Sequence, residues 1–217
     1  MAKTSTRTSK TTTLAKQVAA ELPASLAASS ATLKCFRQAD PEDAGVSFTR
    51  YWYEGLGLRS GVASWVMAKV APGDDPRFGK AAKVEVLLHR SAPGDYADLA
   101  FLLRQVDETL PPYERHVMIQ LKLALDPEEP WHVGYERVRA FARHHFVSQR
   151  FPVILVAHVP SVAGLDGNGS HVHCIVLSRR LGINGLEGAC YKLCSDRGCA
   201  EAFAAWRTWR GAEESAA

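Results

Sequence analysis

Two apolar runs joined by a glycine-rich turn constrain the fold of this chain more than any other stretch: FPVILVAHVPSVAGLDGNGSHVHCIVLSRR, Phe151 to Arg180. The runs at 152–159 and 170–178 are β-branched and aliphatic, which predicts two buried strands paired as a hairpin. Three histidines lie at the turn end of that hairpin, namely His158, His171 and His173. The hairpin therefore carries both a core and a group of side chains with chemistry.

Alternation along a strand brings these histidines to one face of the hairpin. His171 and His173 point the same way, whereas Val172 and Cys174 point the other way. His158 ends the first strand, so the pairing places it beside the start of the second. Three neutral imidazoles with open coordination positions are typical of a catalytic metal site rather than a closed structural one. The alternative is a His-x-His pair that is only exposed or hydrogen-bonded.

Length and composition predict one globular domain with basic and polar flanks. The chain has 217 residues, of which 47% are hydrophobic and 23% charged. We expect a basic, disordered extension at 1–43, a folded domain at 44–211 and a tail at 212–217. No apolar run is long enough to span a membrane, and the N-terminal residues lack the apolar core of a signal peptide, which predicts a cytoplasmic protein.

The positive charge is unevenly spread although the formal net charge is only +3. Residues 1–17 contain lysines and an arginine without an acid, and residues 137–150 hold four arginines with no acid between them. Basic segments of this kind predict contact with a polyanion, although a basic helix face is often only solvated surface. The arginines that we expect to contact nucleic acid are Arg139, Arg143, Arg179 and Arg180.

The order of strand-like and helix-like segments predicts an α+β fold. The predicted strands lie at 46–53, 82–89, 114–125 and in the histidine hairpin, and a turn-rich segment follows at 181–193. A short helix is predicted at 14–26, within the extension. The other predicted helices begin after Ser60, a candidate N-cap, and after Asp95, span 132–149 and end the domain at 198–209. A mainly antiparallel five-stranded sheet with flanking helices is the simplest arrangement. The remaining cysteine group, Cys190, Cys194 and Cys199, has a spacing that fits no standard zinc site and predicts reduced thiols.

Four segments together resemble the relaxase domain of the MobA/MobL family, which are plasmid-mobilisation enzymes of the HUH endonuclease class. They are SFTRYWYEGLGLRSGVASW, LHRSAPGDYADLAFLLRQV, RHVMIQLKLALDPEEP and AHVPSVAGLDGNGSHVHCIVLSRRLGINGLEG. The last is the most specific, because it resembles the family's A-I-H and G-D-G-N-P-H-A-H motifs. The resemblance covers about three quarters of the chain and implies an HUH relaxase-like fold.

The resemblance implies an activity on single-stranded DNA at a plasmid transfer origin, with other mobilisation proteins as possible partners. In the family, a tyrosine attacks a phosphodiester and a divalent ion held by three histidines polarises the phosphate. By position, His158, His171 and His173 match those ligands, and Mg²⁺ or Mn²⁺ is the implied metal.

Two positions depart from the family pattern. Met67 occupies the place of the family's tyrosine, and Met118 that of its glutamate. Tyr51 and Tyr53 are candidate replacements for the nucleophile, with Tyr113 and Tyr191 as further tyrosines to consider. Two functions stay open: a metal-dependent DNA-nicking enzyme with a relocated tyrosine, and a catalytically inactive DNA-binding accessory or regulatory protein.

Overall fold

The computed structural model describes residues 31–55, 57–71, 80–165 and 169–214, and the predicted helix at 14–26 lies outside them. Within this part of the chain, strands and helices largely alternate, as the apolar and amphipathic segments predict. The elements are β1 (Thr32–Ala39), β2 (Val46–Glu54), α1 (Val62–Val70), β3 (Lys83–Leu87), α2 (Leu99–Thr109), β4 (His116–Ala124), α3 (Trp131–His145), β5 (Val153–His158), β6 (His171–Leu177), β7 (Arg179–Gly182), β8 (Gly185–Ala189) and α4 (Asp196–Glu214).

The main sheet has six strands in the order β1-β2-β4-β6-β5-β3. Every neighbouring pair is antiparallel, which confirms the predicted α+β class with a mainly antiparallel sheet. The five predicted strands are β2 to β6, and β1 is a sixth, at one edge, within the segment predicted as an extension. Its side chains are exposed at almost every position, so the sequence lacks the alternation that identifies a half-buried strand.

Helices cover both faces of this sheet. On one face, α3 and α4 bury Phe141 and Trp206 against strand residues such as Phe48 and Leu121. On the other face, α1 and α2 form a core whose strand residues include Ile154 and Ile175. Full burial of one such side chain stabilises the fold by roughly 1.5–3 kcal/mol. Because side chains alternate along β6, the histidines two and four residues before Ile175 lie on the α1 and α2 side.

The segment after β6 forms a separate hairpin of β7 and β8, where the sequence predicts only turns. The three cysteines that follow, Cys190, Cys194 and Cys199, are free thiols. Cys194, just before α4, and Cys199, in its first turn, are buried in the core, and burial raises the pKa of Cys194 to about 12 and that of Cys199 to about 11. These positions serve the packing of α4.

The start of α1 is capped from another helix. The prediction that Ser60 caps it is wrong, because the N-cap is Gly61, whose φ of 119° is a left-handed conformation that glycine tolerates. Asp107 of α2 instead accepts the backbone N–H groups of Gly61, Val62 and Ala63 at 3.3, 3.1 and 3.2 Å. These bonds satisfy donors that have no partner within α1 and tie α1 to α2.

We expect Asp107→Ala to lower the free energy of unfolding by about 2 kcal/mol, because three N–H groups lose a charged acceptor. Urea denaturation measures this loss, and faster amide exchange confined to the first turn of α1 locates it. Glu108→Ala is the matched control, since Glu108 is exposed on the same helix. Equal losses for the two variants would contradict the capping role.

Other helix limits differ from prediction by a few residues. Asp98 is the N-cap of α2 and accepts the N–H of Phe101 at 2.7 Å, while Asp95 belongs to a 3₁₀ turn at Gly94–Ala97. α3 ends at His145, four residues before the predicted end. None of the helices in the described ranges is both long and apolar enough to cross a membrane.

Candidate metal centre and its basic surroundings

The three histidines of the hairpin meet on the α1 and α2 face of the sheet. His158 at the end of β5 pairs in register with His171 at the start of β6, and His173 follows two residues later. The ring centroids are 5.3 Å apart for His158 and His171, 5.2 Å for His158 and His173, and 4.9 Å for His171 and His173. We call these three residues the histidine triad.

Burial keeps the triad imidazoles neutral. His173 is 7% exposed, and its Nδ1 atom has no hydrogen-bond partner in the described structure. Burial lowers the pKa of His173 to about 2 and that of His171 to about 4, and it also lowers the pKa of His158. Neighbouring cations lower these pKa values further. A neutral imidazole retains the lone pair that a metal ion requires.

Backbone groups orient two members of the triad. The Nδ1 atom of His171 lies 3.0 Å from the carbonyl oxygen of Gly169. A hydrogen on that Nδ1 would leave Nε2 with a lone pair. His158 forms a hydrogen bond with the backbone of Lys69 in α1. Hydrogen bonds of this kind hold the rings of metal-binding histidines.

The spacing of the rings fits a three-histidine ion site, although the rings as they stand do not form one. Among the described residues, no group of three or more histidine, cysteine, aspartate or glutamate side chains is already arranged to hold a metal ion. Imidazole nitrogens bound to an ion at about 2.0–2.1 Å, with N–metal–N angles of about 90–110°, place ring centroids about 4.5–5.2 Å apart. The triad centroids lie at 4.9–5.3 Å.

Three cations that the sequence did not single out surround the triad. Lys122 of β4 is directly paired with His173, and Lys69 of α1 is bonded through its backbone to His158. Burial lowers the pKa of Lys69 and that of Lys122, and the nearby positive charge of Arg37 in β1 lowers both pKa values further. No described carboxylate forms a salt bridge with Arg37, Lys69 or Lys122. The surroundings of the triad are thus strongly positive.

The tyrosines predicted as candidate nucleophiles lie in the core. Tyr51 is 6% exposed, its ring lies 4.5 Å from that of Trp65, and its hydroxyl bonds with Thr49. Tyr53 is fully buried, with Arg59 over its ring. Burial raises the pKa of both hydroxyls, which opposes ionisation of either one.

The two methionines that the sequence resemblance aligns with catalytic residues differ in exposure. Met67 is 44% exposed on α1, two residues before Lys69, and Met118 is fully buried on β4. The other tyrosines lie elsewhere. Tyr113 is exposed in the segment before β4, and the hydroxyl of Tyr191 donates to Glu114 at 3.2 Å.

The arginines predicted to contact DNA are engaged with other parts of the chain. Arg139 binds Glu85 of β3 at 2.9 Å, and Arg143 lies 3.8 Å from the same carboxylate. Both belong to α3, on the sheet face opposite the histidine triad. Helical periodicity places these arginines on one stripe but does not reveal that an acid of a distant strand meets them.

Arg179 and Arg180 hold the β7 and β8 hairpin in place. Arg179 donates to the carbonyl oxygen and hydroxyl of Thr109 at 3.2 and 2.8 Å and to the carbonyl oxygen of Leu186 at 2.9 Å. Arg180 donates to the carbonyl oxygen of Gln149 at 3.1 Å. The structure thus brings together the predicted histidines but not the predicted arginines.

Comparison with known proteins supports the fold. No family model and no curated protein matches the chain. A chain from a solved structure that concerns the molecular basis of vancomycin resistance transfer in Staphylococcus aureus is similar, with a TM-score of 0.50 and 18% sequence identity. The match covers 60% of this chain and 68% of the other. It supports a relaxase-like fold, which agrees with the expectation from the sequence.

Proposed function

We propose that this chain is a relaxase-like protein of plasmid mobilisation that binds single-stranded DNA at the histidine triad with a divalent ion, Mg²⁺ or Mn²⁺. The proposal is carried by one observation: three neutral imidazoles meet on the sheet face with Lys69 and Lys122 beside them. A positive site without a paired described carboxylate suits a polyanion. The relaxase-like fold supports DNA as that polyanion.

Each group near the triad has a distinct part in this proposal. The histidines hold the ion, which when bound would place positive charge against a phosphodiester of the strand. Lys69 and Lys122 neutralise phosphates on either side, and Arg37 extends the positive surface to β1. The direction from the triad through β4 to β1 is then the path of the strand across the sheet.

Strand transfer is the second candidate function, and the position of Tyr51 favours it. The hydroxyl of Tyr51 bonds with Thr49, which points it along the same sheet face as the triad. In such a reaction the tyrosine oxygen bonds to phosphorus, the bond to the 3′ oxygen breaks, and that oxygen takes up a proton. Burial of Tyr51 opposes this chemistry, so we favour binding without a nick, the function of an accessory or regulatory protein.

The two functions differ in whether DNA becomes covalently attached. We expect a randomised, labelled single-stranded pool with Mn²⁺ to give a shifted band on a native gel and no labelled protein band on a denaturing gel. A native shift lost with chelator supports the role of the ion. A labelled protein band that resists denaturant, disappears in Tyr51→Phe and persists in Tyr113→Phe would show that the function is strand transfer and not binding alone.

A further inference from the structure

The sheet face beside the triad carries several polar side chains, although the core around them is apolar. Ser47 of β2 pairs with Lys122 of β4, which pairs with His173 of β6. One row further along, Thr49 pairs with Gln120. Directly paired residues of an antiparallel sheet share a face, so all of these side chains lie on the triad side. We call Ser47, Thr49 and Gln120 the polar patch.

Gln120 is the member of the polar patch without a partner. It is 6% exposed, and its Oε1 atom is buried with no hydrogen bond to any described residue. Its neighbours are already engaged, because Ser47 accepts from Arg37 at 3.2 Å and Thr49 bonds with Tyr51. A buried carbonyl oxygen without a donor destabilises the free protein, and a ligand that supplies the donor removes this penalty.

We propose that the carboxamide of Gln120 reads a nucleobase of the bound single strand next to the triad, an inference that rests on the proposed function. The unpartnered atom, Oε1, is an acceptor, and a phosphodiester cannot pair with it because a phosphodiester has acceptors and no donor. Nucleobases carry donors: the amino groups of adenine, cytosine and guanine and the ring N–H of guanine and thymine. The partner of Gln120 is therefore a base edge.

The position of Lys122 agrees with a contact between Gln120 and a nucleobase. Lys122 lies two residues from Gln120 on the same strand and the same face, a separation of about 6.8 Å along β4. A phosphate held by Lys122 thus has its base within reach of Gln120. Single strands present unstacked bases whose edges are free to pair with side chains. A carboxamide offers an acceptor and a donor side by side, which matches a base edge with both.

The test compares affinities for dA15, dC15 and dT15 oligonucleotides in the presence of Mn²⁺ by fluorescence anisotropy. We expect the full chain to discriminate between the tightest and weakest of them by about five-fold or more, the discrimination of one good side-chain pair. Gln120→Leu, which has similar volume and no polar atom, reduces this spread to less than about two-fold because it cannot pair with any base edge. Mn²⁺ affinity by calorimetry and the thermal midpoint stay at the wild-type level or above.

Gln105→Leu is the matched control, since Gln105 is 5% exposed on α2, and it keeps the wild-type spread. A wild-type chain that binds all three oligonucleotides equally overturns the inference and leaves the proposed function standing. The inference is likewise overturned, with the proposed function intact, if Gln120→Leu weakens binding of all three by one factor or leaves the spread unchanged. Failure of the wild-type chain to bind any oligonucleotide overturns both.

Discussion

His173→Ala is expected to weaken divalent-ion binding by at least about 100-fold, because the substitution removes a proposed ligand and not merely a residue that orients one. His173 is the most buried member of the triad, and it lies on β6 between β4 and β5. Its Nδ1 has no partner in the described structure, so the substitution breaks no hydrogen bond at that atom. The fold should therefore persist while the ion is lost.

Titration calorimetry with Mn²⁺ measures the change, and circular dichroism confirms that the variant is folded. His171→Ala should behave alike, since its ring lies 4.9 Å from that of His173. His132→Ala is the control, because His132 is exposed on α3, away from the triad. Unchanged Mn²⁺ affinity in a folded His173→Ala protein would remove the metal site from the proposal.

Lys69→Ala combined with Lys122→Ala is expected to change how DNA binding depends on salt. Each phosphate that a cation neutralises on a single strand contributes about 0.7 to the slope of log affinity against log salt concentration, so the slope should fall by about 1.4 in the double variant. Both lysines border the triad, and no described acid neutralises either one through a salt bridge. Affinity measured across a series of salt concentrations gives the slope.

The competing variant is Arg139→Ala combined with Arg143→Ala. These arginines were the prediction from the sequence, but the structure pairs them with Glu85 on the opposite face. If the strand runs past the triad, this double variant keeps the wild-type slope. If it lowers the slope and the lysine variant does not, the strand runs along α3 and the sequence prediction is the better one.

The histidine triad could be predicted because the information is local. His171 and His173 are two residues apart, and His158 is separated from them by a turn, so alternation and hairpin pairing suffice to bring the rings together. The same holds for the strands β2 to β6, each of which contains its own apolar pattern. The order of these elements predicts the α+β class, whereas the relaxase-like fold is expected only from the resemblance of four sequence segments to a known family.

The cations of the site could not be predicted because register, not sequence proximity, assembles them. Lys122 stands alone in an apolar strand, and only its pairing with His173 gives it a place in the site. Lys69 lies on α1, and the position of α1 depends on Asp107 of a different helix. Arg37 lies on β1, an exposed edge strand whose sequence gives no alternation. Each contact depends on tertiary structure that a single segment does not encode.

The two faces of β6 contact different parts of the protein, so the site depends on the exact number of residues in that strand. Val172 and Cys174 are fully buried in the core under α3 and α4, while the histidines on either side of Val172 face α1 and α2. One residue inserted between His171 and Val172 would shift His171 by one position relative to the rest of β6, because successive side chains of a strand point to opposite faces. With Val172 and Cys174 kept in the core, the imidazole of His171 would turn towards the apolar layer. A reading-frame-preserving insertion here should thus be as damaging as loss of a ligand, with no histidine replaced.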